Sequence, residues 1–159
     1  MAVHSAAGTT LHICAGDPPT FDISGYATLF GSSAEELVGE ITDLGEFGRE
    51  YVLITHNPIG TRSTKKFKGS FNEGSMQLTL GLDQSDAGQL IMQTASASDD
   101  NYSFKVTDQT GDIYYFQAQV MSFKIGLGSV DNVVSATCTL EITSNTAGIG
   151  VITDVYSGA

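Results

Sequence analysis

Apolar and polar residues alternate at a period of two along most of this chain, which selects β-strands with one buried and one wetted face. Asn132–Thr143 shows it most plainly. Val134, Ala136, Cys138, Leu140 and Ile142 alternate there with Val133, Ser135, Thr137, Thr139 and Glu141. An apolar face backed by small hydroxyls fits an antiparallel strand with one side in water. Asp112–Ile125 begins the same way, with Tyr114, Phe116, Ala118 and Val120 facing one side and Tyr115, Gln117 and Gln119 the other. Met121, Phe123 and Ile125 are then apolar in the opposite phase, so a bulge or twist is expected near Val120. Gly126, Gly128 and Ser129 mark the turn that follows.

Other strands follow from the same pattern. Tyr102–Thr107 sets Tyr102, Phe104 and Val106 against Ser103, Lys105 and Thr107, and a short Gly-containing loop, 108–112, joins it to the next strand as a hairpin. Ser75–Leu82 places Met76, Leu78, Leu80 and Leu82 inward and Gln77 and Thr79 outward. Leu11–Cys14, Glu40–Leu44, Glu50–Thr55 and Lys65–Phe71 complete the set, with 56–66 as the loop of a long hairpin. One segment reads as a helix: Asp83–Ala95 opens on capping residues and carries Ala87, Leu90, Ile91 and Thr94 at helical spacing. A shorter helical turn near Ser33–Leu37 is also allowed, with Ser32 or Ser33 capping Glu35 and Glu36. Residues 1–9 and 144–159 are rich in Gly, Ala, Ser and Thr and read as arms around a β core of 10–143 in a single domain, 1–159.

Charge narrows the function. The formal net charge is −11, from 18 acidic and 7 basic residues, so ordinary binding to a phosphate backbone is not expected. Four of the seven bases, Arg62, Lys65, Lys66 and Lys68, fall in or beside the hairpin loop. Glu35, Glu36, Glu40, Asp43, Glu46 and Glu50 precede them, and their spacing is not that of an EF-hand. Two readings of the basic hairpin stand: an edge that lysines protect against aggregation, or a contact onto the acidic face of another copy, head to tail.

Catalytic patterns are missing. His4, His12 and His56 lie apart, and there is no HExxH, paired CxxC, P-loop or GxSxG. Cys14 and Cys138 read as buried free thiols. No cofactor or metal is expected, and an enzyme is the least favoured class. The first fifteen residues carry no Lys or Arg and no apolar core, so a secretory leader is not expected, nor is a membrane span.

The order of elements resembles the major tail tube proteins of long, non-contractile-tailed, lambda-like bacteriophages. The resemblance runs from about Gly8 to Ile142. It is carried by Gly8–Leu11, by the GEITD-like Gly39–Leu44, by the hairpin Glu50–Thr55, Asn57–Arg62 and Phe67–Ser75, by the helix Asp83–Ala95, and by the closing strands Phe104–Ile125 and Val134–Ile142. It implies two packed antiparallel sheets, a sandwich or half-barrel, flanked by one α-helix, with terminal arms. It implies rings, six copies each, whose inner sheets join around a channel and which stack through the long hairpin and the arms. Residues 1–9, 56–66 and 144–159 would then be mobile in the monomer and order on stacking.

A structural virion protein of the tail follows, assembled in the host cytoplasm and passing genomic double-stranded DNA without holding it. Its partners would be other copies of itself, a tape measure protein, a tail terminator and distal tail or tip proteins, with no membrane. Lumen candidates are the polar strand faces: Gln77, Thr79, Gln117, Gln119, Ser135, Thr137, Thr139 and Glu141. That face would otherwise meet solvent or another subunit. Arg62, Lys65, Lys66 and Lys68 would dock on acids of the adjacent ring, with Glu35, Glu36, Glu40, Glu46 and Glu50 as candidates. The alternatives are a type VI-like secretion or tailocin tube, and a monomeric β-sandwich binding module. The second would need an aromatic platform; there is no Trp, and Tyr114, Tyr115 and Phe116 alternate between faces.

Overall fold

The computed structural model describes residues 3–32 and 35–156. The elements in chain order are β1 (Thr10–Ala15), α1 (Ile23–Phe30), β2 (Glu36–Val38), β3 (Ile41–Asp43), β4 (Glu50–His56), β5 (Lys65–Asn72), β6 (Ser75–Gly81), α2 (Ala87–Ser96), β7 (Tyr102–Thr107), β8 (Ile113–Gly126), β9 (Ser135–Thr143) and β10 (Ile152–Asp154). Two antiparallel sheets result. One has eight strands in the order β2-β1-β7-β8-β9-β6-β3, with β10 alongside β8, and the other is the β4–β5 hairpin alone.

The alternation of β6, β7, β8 and β9 fills a single core. Leu78, Leu80, Phe104, Phe116, Ala118, Cys138 and Leu140 are fully buried together with Leu11, Ile13, Met76 and Met92. The bulge expected near Val120 is present: the β8–β9 register shifts between Val120 and Ser122, which leaves Met121 outside the ladder and returns Phe123 to the inner side opposite Cys138. Burial pushes the Cys138 thiol up to about 12, and both cysteines are free.

The two ends of the strand path, β2 and β3, are consecutive in sequence and joined at Gly39–Glu40, so the sheet curls back on itself. Helix α2 holds that corner. Its N-cap Asp86 accepts from Gly39 N (3.1 Å) and from Gln89 N (3.0 Å). The fully buried Gln89 donates from Nε2 to Gly39 O (3.0 Å) and Gly81 O (2.9 Å) and accepts from Asp83 N (2.9 Å). One side chain thereby supplies three backbone groups at this corner. Gly88 is required here, since a Cβ would overlap the Leu37 carbonyl of β2.

Four expectations change. A second helix, α1, is present, capped by Asp22 accepting from Gly25 N (2.7 Å). The segment read as a helical turn near Ser33–Leu37 instead carries strand β2 from Glu36, because Glu36, Leu37 and Val38 pair with Ile13, His12 and Leu11; Ser33 lies outside the described residues. Helix α2 starts at Ala87 rather than Asp83, because Asp83 closes a turn by accepting from Ser85 N (3.0 Å) and Ser85 Oγ (2.6 Å). The stretch read as a C-terminal arm contains β10, which pairs with Ile113–Tyr115 of β8.

Candidate assembly surfaces

The outer face of the large sheet has two halves. Over its first half lies α1, packed through Tyr26 and Phe30 onto Cys14 and Tyr115. Tyr26 stacks on Tyr115 with ring centroids 5.2 Å apart, and Phe30 lies 5.9 Å away. Burial raises the phenol of Tyr115 and, further, that of Tyr26. His12 and Lys105 are cross-strand partners on this half, and Lys105 pairs with Glu35 at 3.2 Å. Burial first, and then Lys105, hold the His12 imidazole below its ordinary value.

The second half, the outer side of β3, β6, β9 and the end of β8, is bare. Cross-strand pairs place Gln77 against Thr139, Thr79 against Thr137, and Glu141 against Ser75 and Gln119. Ser122 and Lys124 of β8 continue the rows beyond Thr139 and Thr137. Gln77, Thr79, Gln119, Ser135, Thr137, Thr139 and Glu141 thus share one hydroxyl- and amide-lined wall. Gln117 is a correction to that set. Its alternation is right, but it is 6% exposed under the segment before α1, donating to Asp17 Oδ1 at 2.6 Å.

The hairpin contrasts with this body. Every residue of β4 and β5 except Gly69 is exposed. The register puts Tyr51, Leu53 and Thr55 on one face with Phe71, Lys68 and Lys66, and Val52, Ile54 and His56 on the other with Phe67 and Lys65. Both faces therefore show large apolar side chains to water, with Leu53 63% exposed, Val52 57% and Phe67 54%. Both faces also carry lysine, and Lys68 Nζ stands 4.7 Å over the Tyr51 ring. Arg62 sits in the connecting loop, also exposed. A lone two-stranded ribbon is marginal in water, and exposed apolar patches of this kind mark interaction surfaces.

The acidic residues divide. Glu35 is engaged by Lys105 and Glu36 lies within β2, both half-buried. Glu40 is exposed at the closing corner with a left-handed φ of 60°. Asp43 and Glu46 line one shallow depression with Ser75, Gln77 and Thr79, and Glu46 and Glu50 line another with Gly74 at the root of the hairpin. The hairpin is thus acidic at its root and basic at its far end. Among the described residues no group of three or more His, Cys, Asp or Glu is placed to hold a metal, and no helix is long and apolar enough to cross a membrane.

No family model matches the chain, and no curated protein matches it. Solved structures do. A chain from the six-fold symmetrised baseplate of the anti-feeding prophage overlays with a TM-score of 0.64 at 11% identity, covering 91% of this chain and 95% of that one. The SPP1 tail tube overlays at 0.64 with 15% identity, covering 93% and 77%. The sheath/tube terminator of an extracellular contractile injection system overlays at 0.63 with 10% identity, covering 98% and 99%. The chain has the mainly β fold of tail tube and injection-system proteins, with two antiparallel sheets and two helices.

Proposed function

We propose that this chain is a structural, non-enzymatic subunit of a bacteriophage tail tube, polymerising as stacked rings of six through which double-stranded DNA passes. The observation that carries the reading is the β4–β5 hairpin, whose two apolar faces have no cover within the described chain. A second copy supplies it: the basic end, Arg62, Lys65, Lys66 and Lys68, meets exposed acids of the adjacent ring. Glu40, Asp43, Glu46 and Glu50 are the acids free for this role, whereas Glu35 already has Lys105. Head-to-tail contacts of this kind propagate without closing along the stack.

The bare wall suits the inside of the tube. Gln77, Thr79, Gln119, Ser135, Thr137, Thr139 and Glu141 offer neutral or acidic groups, Lys124 stands in the same rows, and six whole copies at −11 carry −66 in all. A negative conduit repels phosphates and lets DNA slide. The six-fold symmetry of the anti-feeding prophage baseplate supports six copies per ring. A tape measure protein, a terminator and tip proteins complete the partners, and the location is the virion tail after assembly in the host cytoplasm. A second reading, the tube of a contractile injection, tailocin or type VI-like device, is favoured by the overlays on injection-system chains. Finding the chain in DNA-filled, non-contractile particles decides for the first.

The test is negative-stain microscopy of the purified protein, concentrated at low and moderate salt, with and without its tail-tip complex. Hollow tubes with regular striations are expected. Monomers under every condition, the tip complex included, would leave the solitary β-sandwich and overturn the reading.

A further inference from the structure

The hairpin leaves the body on two closely spaced legs. At the root Gly74, with a φ of 93°, approaches so near that a Cβ would stand 2.6 Å from the Gly48 carbonyl. Two glycines side by side make a narrow pivot. The β4–β5 ladder does not continue into the large sheet, so backbone pairing alone does not set the direction in which the hairpin points.

One side chain bridges the pivot. Arg49, next to β4, donates from Nε to Glu73 Oε1 at 2.9 Å, with Nη2 at 2.6 Å from the same oxygen. Nη2 also donates to the Gly148 carbonyl at 2.8 Å, and Nη1 to the Tyr51 hydroxyl at 3.4 Å. The guanidinium lies over the Phe71 ring, 3.9 Å from its centroid. Glu73, next to β5, is 4% exposed, under Gly150, where a Cβ would overlap its carboxylate. The loop that offers Gly148 is tied down at both ends, by β9 and β10, and internally by Asn145 Oδ1 accepting from Ala147 N (3.0 Å) and Ile149 N (2.9 Å).

We infer that Arg49 is a latch: with Glu73 and the Gly148 carbonyl it fixes the direction of the β4–β5 hairpin relative to the body. The planar five-donor fork matters, because one group must hold both legs and the C-terminal loop at once. The ion pair is not an ordinary surface one, since Glu73 is buried and needs its cation. A hairpin held in one direction meets a partner without first losing orientational freedom; that consequence rests on the proposed assembly, but the latch does not.

Spin labels on Thr55→Cys, at the exposed far end of β4, and Gln109→Cys, in the exposed β7–β8 turn, test this in the monomer. Cys14 and Cys138 are buried and stay unlabelled. Pulsed dipolar spectroscopy should give one narrow distance distribution in the otherwise native chain. Arg49→Lys should broaden it severalfold, because an ammonium cannot reach all three partners. Arg49→Met with Glu73→Leu removes both charges, so it leaves no buried carboxylate unpaired, and should broaden it as much while circular dichroism is unchanged. A broad distribution in the native chain, or a narrow one in folded forms of both variants, overturns the latch. Neither result depends on whether tubes form.

Discussion

The β6–β9 ladder and the β4–β5 ladder are both antiparallel, yet they end in opposite states. Along β6 and β9 every second residue is buried: Met76, Leu78 and Leu80 face Leu140, Cys138 and Ala136. In β4 the run Tyr51-Val52-Leu53-Ile54 has no alternation. Such a run demands cover on both faces, and the described residues leave it open. The difference teaches where one polypeptide stops being a complete fold. The β6–β9 ladder buries one of its faces, whereas the hairpin leaves large apolar side chains exposed on both of its faces.

Substitutions should separate the two regions. Leu78→Ala, in the fully buried ladder, should cost about 2–5 kcal/mol in urea unfolding. Leu53→Ser, on the exposed ladder, should change monomer stability by no more than about 0.5 kcal/mol, yet abolish pelleting in the ultracentrifuge. Equal destabilisation by both would break the contrast. Gln89→Leu removes the partner of Gly39 O, Gly81 O and Asp83 N and should cost about 1–3 kcal/mol; an unchanged midpoint would show that the corner closes without it.

Reversing Lys65 and Lys66 to Glu should leave the melting temperature in place and stop polymerisation. Normal tubes from that variant would remove the charge-docking role. The smallest effect concerns the covered half of the sheet. Because the folded His12 has a lowered proton affinity, the unfolded chain binds more protons there. Stability should therefore rise with pH through about 6.5, be lost as pH falls below it, and show a flatter profile in His12→Gln. An identical profile would place the pH dependence elsewhere.

Much of the body was legible because alternation is local. The core faces of β6, β7, β8 and β9, the bulge at Val120 and the hairpin all follow from neighbours in sequence. What was not legible depends on distant contacts. Helix α1 contains Gly25 in its first turn, a helix-weakening residue, retained because the Thr20 carbonyl occupies the space of a Cβ; its one local signal was Asp22 as a cap, followed by Tyr26 and Phe30 at i and i+4. Strand β10 has three residues, too few for a period. Gln117 has the polar phase of Gln119, and only the packing of the chain before α1 shows that the first is buried while the second stays half-buried. Glu35 looked like any acid of its run until Lys105, seventy positions on, was seen beside it.

Hydrogen exchange on monomer and on assembled material tests the central claim most directly. Amides of β4 and β5 should exchange rapidly in the monomer and become protected on assembly, while those of β6 and β9 stay protected throughout. Hairpin amides that exchange equally fast in the assembled material would contradict the claim that another copy covers this surface.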